Sequence, residues 1–388
     1  MKFSQQNTPL LHRANSIKNH LIIQWGGGGQ KQYCKGNSTI TLIQCPKCGY
    51  IFNSAFDLEA IAKEYQSQGY YSRKIVSKAM NENIQSIKNT ILRYINQDSV
   101  CLEIAPGSGD MVLALIDFVK YFYTVDPSLV SLEFEKANNL QHIQAFFNYK
   151  TIKETLQHKV NFILFRHLLE HINTPLNFLK DVVDLIENNG IIYIEVPNIE
   201  EFIKHKRFYE IFNDHCGYYQ KNTLINTLEN LGCTFLDEIF LYREQHMGLF
   251  FQKKENPNIK KQCDFIIYPN LNNLFNENII LLNQLIQPYK NIAIYGAGAH
   301  GNTIATFLSQ ENLQNIKKCF DLDKRKQGQY LQNSAIQIVE PNKQNFTDID
   351  CIIIAAPLYE EEVRHSLRER GFKGNIILTE KEIKSQKK

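Results

Sequence analysis

Leu102-Glu103-Ile104-Ala105-Pro106-Gly107-Ser108-Gly109-Asp110 opens with an apolar run that carries Glu103 and leads onto Gly-x-Gly. A parallel-sheet strand presents a tight turn to an adenosine-bearing ligand in this way, because glycines let the backbone bend sharply and approach the ligand closely. Ala105 stands where a further glycine is usual. Asp126 closes the next apolar run, 17 residues after Gly109. A carboxylate roughly 20 residues beyond such a turn can accept both hydroxyls of a ribose. A second chemistry is signalled by Cys45-Pro46-Lys47-Cys48-Gly49, which supplies half of a tetrahedral thiolate site. Cys34 is the nearest further thiol, with His12 and His20 as the histidines able to complete a set. One structural zinc is the expectation, since a loop-rich module this small usually needs a metal or a disulfide to hold it.

The elements that must position these residues fall into three blocks. At 388 residues the chain exceeds one ordinary core. Residues 1–60 are turn-rich, contain Gly26-Gly27-Gly28-Gly29 and the cysteine knuckle, and form the expected small zinc-binding-like module. Residues 61–252 open with a helical pattern (Ile75, Ala79, Ile84 and Ile87 to Ile91) and then alternate short apolar runs with helical segments, as βαβ units do. Strands are predicted at Ser99–Ile104, Tyr121–Val125, His142–Phe147, Val160–Phe165 and Gly190–Val196, with a helix over Thr174–Glu187 opened by a Thr-Pro start. Residues 262–388 repeat the scheme, with strands at Asn291–Tyr295, Lys318–Asp321, Ile349–Ala355 and Gly374–Leu378 around Gly296-Ala297-Gly298-Ala299-His300-Gly301. Alone, that second glycine pattern would suggest NAD. The fold class expected is α/β, with two doubly wound sheets.

The net charge of +3 and the scattered Lys and Arg residues argue against a nucleic-acid partner. Nine cysteines, several in apolar runs such as Cys101 and Cys351, and no leader segment suggest reduced thiols and a cytoplasmic location. The longest apolar runs are strand-length, short of the roughly 20 residues that span a bilayer. No membrane partner is expected.

The glycine turn alone fits NAD and S-adenosylmethionine (SAM). The absence of a third glycine, together with Arg166-His167-Leu168-Leu169-Glu170-His171, favours SAM. At these residues the chain resembles the SAM-dependent class I methyltransferases, and more closely the three-domain sugar C-methyltransferases. Cys48-Gly49-Tyr50-Ile51-Phe52-Asn53, Glu195-Val196-Pro197-Asn198, Asp214-His215-Cys216-Gly217-Tyr218-Tyr219 and the stretch Asp321 to Gly328 are similar to segments of that family in the same order. The resemblance implies a zinc-binding amino-terminal module with Cys34, Cys45 and Cys48 among its ligands. It also implies a methyltransferase core binding SAM through Glu103, Ala105, Gly107, Gly109 and Asp126, and a Rossmann-like carboxy-terminal domain that helps to hold a nucleotide-linked sugar without NAD.

The same resemblance implies that His215 is a catalytic base, assisted by Asp214, His171 and Tyr70. C-methylation beside a ketone needs a base to remove the α-proton, and an imidazole suits that near neutral pH. Asp214 stands where the family has Glu, and Ala355-Ala356-Pro357-Leu358-Tyr359 replaces its Trp-Asn pair. The expected activity is methyl transfer from SAM to carbon of a nucleotide-linked keto-sugar. O- or N-methylation of a small metabolite, and a non-catalytic SAM or nucleotide binder, are the alternatives.

Overall fold

The computed structural model describes residues 21–22, 39–59, 78–127, 137–212, 214–255, 263–331 and 334–379. Tyr70, Cys34, His12 and His20 lie outside the described residues.

The cysteine knuckle is the turn of a hairpin, β1 (Leu42–Gln44) with β2 (Ile51–Asn53). Helix α1 (Lys78–Ile91) buries Ile84, Ile87 and Ile91, the face expected from the spacing. The central sheet then runs through β3 (Val100–Ile104), β4 (Tyr121–Val125), β5 (Leu140–Ile143), β6 (Phe162–Arg166) and β7 (Ile191–Pro197), all parallel where they pair. Helix α2 (Asp110–Leu115) follows the first glycine turn, and α3 (Pro175–Leu185) starts at Thr174-Pro175 as predicted. The third strand ends four residues earlier than predicted, at Ile143, because Ala145 N–H turns back onto the Ile143 carbonyl (3.0 Å) and closes the extended run there.

After β8 (Gly217–Tyr218) and α4 (Lys221–Asn230), strands β9 (Cys233–Leu241) and β10 (His246–Lys253) complete a seven-stranded sheet of order β9-β10-β7-β6-β3-β4-β5. Both added pairings are antiparallel. Neither strand of this hairpin is among those predicted from the sequence. Its turn uses Tyr242, Arg243 and Glu244, all left-handed (φ 50°, 54° and 67°), rather than the glycine or asparagine that usually announces such a turn.

The second sheet packs α5 (Asn276–Ile286) and α6 (Ala299–Phe307) with the strands β11 (Ile292–Tyr295), β12 (Ile316–Phe320), β13 (Ile338–Val339), β14 (Cys351–Ile354) and β15 (Asn375–Leu378). All its pairings are parallel, in the order β13-β12-β11-β14-β15. The chain is thus α/β, with a mixed Rossmann-like sheet and a second parallel sheet. Among the described residues, no helix is long and apolar enough to cross a membrane.

One apolar cluster joins the blocks. Ile40, Leu42 and Ile51 of the amino-terminal hairpin, Phe202, Phe208, Tyr209 and Tyr218 of the central block, and Ile292, Ile304 and Ile353 of the second sheet belong to the same buried core. Strand β8 pairs with β2, so the knuckle hairpin is hydrogen-bonded to the segment that carries His215.

Candidate functional site

In an open parallel sheet, ligands gather where the strand order reverses, outside the carboxyl ends of the strands. Here that place lies between β3 and β6. Strand β3 is buried along its whole length, Glu103 included, and the Glu103 carboxyl is pushed up to about 8 by burial. Arg166 opposes that rise, while Asp110 and Glu195 reinforce it. Among the described residues, Glu103 Oε2 has no hydrogen-bond partner. A buried carboxyl with an orphaned oxygen is costly unless something positively charged or hydrogen-bonding meets it.

The turn that follows is left-handed at three places, Ala105 (φ 56°), Gly107 (φ 55°) and Gly109 (φ 76°). Ala105 therefore occupies a conformation that disfavours a Cβ, which explains why glycine is usual there. A Cβ placed on Gly107 would meet nothing within 4 Å. Asp126 lies just past β4, its N–H bonded to the Ile143 carbonyl (3.2 Å). Glu103, the turn and Asp126 thus sit at the ends of two adjacent strands. SAM fits this donor set: its cationic amino and sulfonium groups suit an uncompensated carboxyl, and its ribose suits Asp126.

At the ends of β6 and β7 lies a chain of titratable groups. Glu195, wholly buried, takes Arg166 Nε at 2.7 Å and His167 Nε2 at 3.1 Å. Although burial alone would raise its carboxyl, Arg166 and His167 hold it well below the ordinary range. His167 itself is left-handed (φ 51°) and half-exposed, and its ring lies edge-on to His246 at 4.8 Å. His167, Glu195 and His246 have donor types a divalent cation could use. Arg166 already supplies the positive charge there.

His171 ends the short helical turn Leu169–His171, and its ring packs edge-on to that of His215 at 4.8 Å. Asp214 anchors His171, with the carbonyl 2.9 Å and the carboxylate 3.5 Å from Nδ1. Burial would depress the His171 imidazole, but Asp214 and Glu170 outweigh it and raise it above its ordinary value. His215 behaves oppositely: burial, then the neighbouring His171, His246 and His167, push it well below the ordinary range. Its Nδ1 is buried and, among the described residues, has no hydrogen-bond partner. The pair therefore divides into one ring that favours the proton and one that stays neutral.

Several contacts hold the His215 segment in place. The Tyr218 hydroxyl accepts from Phe212 N–H (3.2 Å) and donates to the Phe212 carbonyl (3.0 Å), closing the loop around His215. Cys216 N–H donates to the Glu170 carbonyl (2.8 Å), and Asn53 N–H donates to the Cys216 carbonyl (3.0 Å). From the second sheet, His300 reaches Glu210 (Nε2 to Oε2, 3.0 Å), and its ring lies 5.7 Å from that of Phe212. The Phe212 ring in turn lies 5.0 Å from that of His215.

The sequence residues His171, Asp214 and His215 are brought together, but Asp214 addresses His171. The carboxyl grouped with His215 is that of Glu170, which the sequence analysis assigned no role. Its only signal was its place in His-x-x-Glu-His. In the knuckle, Cys45 and Cys48 are in mutual contact, Gly49 is left-handed (φ 76°), and Gly49 N–H caps the Cys45 carbonyl (2.9 Å). Two thiols so held fit one edge of a thiolate metal site. Asp321 does not face outward to a ligand: its carboxylate accepts from Ala297 N–H (2.9 Å) and pairs with Lys326 (3.2 Å).

Residues 76–238 match the family model described as a methyltransferase domain, and residues 288–385 match one described as C2185-like, N-terminal. The comparison with curated proteins gave no match. Among solved structures, the N-methyltransferase NodS of Bradyrhizobium japonicum WM9 in complex with S-adenosyl-L-homocysteine is 12% identical, with 45% of this chain and 87% of that one covered and a TM-score of 0.36. A SAM-dependent methyltransferase of Clostridium acetobutylicum ATCC 824 is 10% identical over 50% of this chain and 98% of its own, with a TM-score of 0.36. An O-methyltransferase family protein of Burkholderia thailandensis is 8% identical over 45% of this chain and 56% of its own, again with a TM-score of 0.36. With the family-model match laid over the glycine turn and the sheet that carries it, the chain contains a class I SAM-dependent methyltransferase domain and is a transferase enzyme.

Proposed function

We propose that this enzyme transfers the SAM methyl group to a carbon atom of a nucleotide-linked keto-sugar. The observation that supports this reading best is His215, a buried neutral imidazole with an unpartnered Nδ1, beside a His171 that Asp214 keeps inclined to hold a proton. His215 removes the proton next to the ketone, and the C–H electron pair passes into an enediolate. The adjacent cationic His171 favours that developing negative charge. The enediolate carbon then attacks the methyl group, and the S–CH3 electron pair returns to sulfur. Glu103, Ala105, Gly107, Gly109 and Asp126 hold SAM on this reading, which supplies the electrophilic methyl group. Tyr70 is proposed as a further donor to the oxyanion.

The nucleotide end of the substrate is assigned to the second sheet, which packs directly onto the base-bearing segment through His300, Glu210 and Phe212. The knuckle cysteines Cys45 and Cys48, with Cys34, are proposed to hold one structural zinc that stiffens the hairpin paired with β8. Incubation with SAM and a panel of nucleoside diphosphate keto-sugars, read by product mass and by proton loss at the α-carbon, tests the reading. A methyl ether or a methylamine as product would reject carbon as the acceptor. His215→Gln that turned over normally while binding SAM would reject the base.

A further inference from the structure

Methylation of any acceptor that loses a proton leaves one proton to be discharged, and a buried base cannot discharge it alone. His215 is almost fully enclosed. Of the groups beside it, His171 is a poor recipient, because its Nδ1 already donates to the Asp214 carbonyl and the Asp214 carboxylate lies 3.5 Å away. Glu170 is different. One ring nitrogen each of His171 and His215 and one carboxylate oxygen of Glu170 lie within 4.8 Å of one another. Glu170 is 2% exposed, and among the described residues its Oε2 has no hydrogen-bond partner, as is true of His215 Nδ1. The other oxygen, Oε1, lies 4.0 Å from His167 Nδ1. The His167 side chain is 30% exposed, so its ring reaches solvent.

We propose that Glu170 receives the proton that His215 takes from the acceptor and relays it to His167, from which it leaves to water. This rests on the reading of His215 as the base. The steps balance: the acceptor C–H bond breaks and a His215 N–H bond forms, the new C–C bond forms as S–CH3 breaks, and the His215 N–H proton then moves to the Glu170 carboxylate. His167 takes it from the carboxylic acid and releases it, restoring the starting state with one proton in solution. Glu170 is thus a positioning and relay residue that acts through His215.

Glu170 is well placed for the exchange. Burial raises its carboxyl above the ordinary range; of its charged neighbours, His171 and His167 favour the carboxylate and Asp214 opposes it. Cys216, Tyr218 and Tyr219 face it as neutral groups. Its backbone carbonyl receives both the N–H and the thiol of Cys216 (2.8 and 3.3 Å), so its position is fixed relative to His215. A lone structural glutamate would need neither the orphaned oxygen nor the exposed imidazole behind it.

The test uses the full chain with 13C at histidine Cε1, assigned with His167→Asn, His171→Asn and His215→Gln variants. In the parent protein the His215 and His171 signals are expected to follow coupled, two-step titrations. Glu170→Gln, which keeps shape and hydrogen bonding, should remove one step and lower the His171 midpoint, because Glu170 is one of the charges that raise it. Glu170→Asp should restore part of the coupling. Superimposable titrations in parent and Glu170→Gln protein would overturn the proposal, as would Zn2+ binding by the parent that Glu170→Gln abolishes. Washout of α-deuterium from a nucleoside diphosphate keto-sugar by the parent enzyme reports separately on the His215 reading. Where washout occurs, Glu170→Gln should slow it tenfold or more by trapping the deuteron on His215, and an unchanged rate would overturn the relay.

Discussion

The chain carries two glycine turns of similar spelling and opposite character. At the first, the acid of the preceding strand is buried with an orphaned oxygen, and a Cβ on Gly107 would meet no atom within 4 Å. At the second, the turn answers its own needs: Asp321 accepts from Ala297 N–H, Lys326 neutralises Asp321, and His300 is drawn onto Glu210. A pyrophosphate at the second turn would have to displace a carboxylate from the amide it would use. Glycine spacing builds a tight strand-to-helix turn in both places. What separates a ligand turn from a structural one is whether the neighbouring acid already has a partner.

The largest expected effect is on the structural turn. A Cβ on Gly301 would lie 1.9 Å from the Gly296 carbonyl oxygen, so Gly301→Ala must move backbone. A loss of about 4 kcal/mol or more is expected in denaturant unfolding, with the second sheet failing first. Gly107→Ala should cost only about 1–2 kcal/mol of stability, from the left-handed backbone, yet weaken SAM tenfold or more in calorimetric titration. If both variants lost stability alike and SAM bound both equally, the contrast between the turns would fail.

Glu103 sharpens the comparison through pH. Its folded-state value of about 8 lies above the ordinary 4.5, so the ligand-free fold takes up a proton that the unfolded chain releases. Its contribution to stability is full below about 4.5 and is lost as pH rises through about 8. A cationic ligand reverses the preference, so SAM binding below pH 8 should release a proton and tighten as pH rises to about 8. Calorimetry in buffers of different ionisation enthalpy checks this. Glu103→Gln should abolish the proton release and weaken binding roughly tenfold, a loss of about 1.4 kcal/mol. Asp321→Ala should cost about 1–2 kcal/mol in unfolding and leave SAM affinity unchanged. The smallest effect is Ala105→Gly, expected to raise stability by about 1 kcal/mol by relieving its left-handed backbone.

The βαβ alternation, the positions of most strands and the Thr174-Pro175 helix start were legible because each is local: apolar runs, caps and breakers act within a few residues. The β9–β10 hairpin was not, since Tyr242, Arg243 and Glu244 turn the chain without a turn residue, and the pairing of β10 with β7 joins segments about 50 residues apart. The site shows the same division. His215 and His171 stand out by type, whereas the partnership of Asp214 with His171, and of Glu170 with His215, depends on a fold that brings residues 43 to 45 positions apart into contact. The fusion of the knuckle hairpin to the His215 segment through β2 and β8 is equally long-range, and no local pattern encodes it.

The most direct measurement is a pair of calorimetric titrations of the full chain, one with SAM and one with NAD. One SAM per chain, lost in Gly107→Ala and Glu103→Gln but kept in Asp321→Ala, together with no heat from NAD, is the result expected of an open first turn and a self-satisfied second. NAD binding that Asp321→Ala alters, or SAM binding indifferent to Gly107 and Glu103, would contradict it.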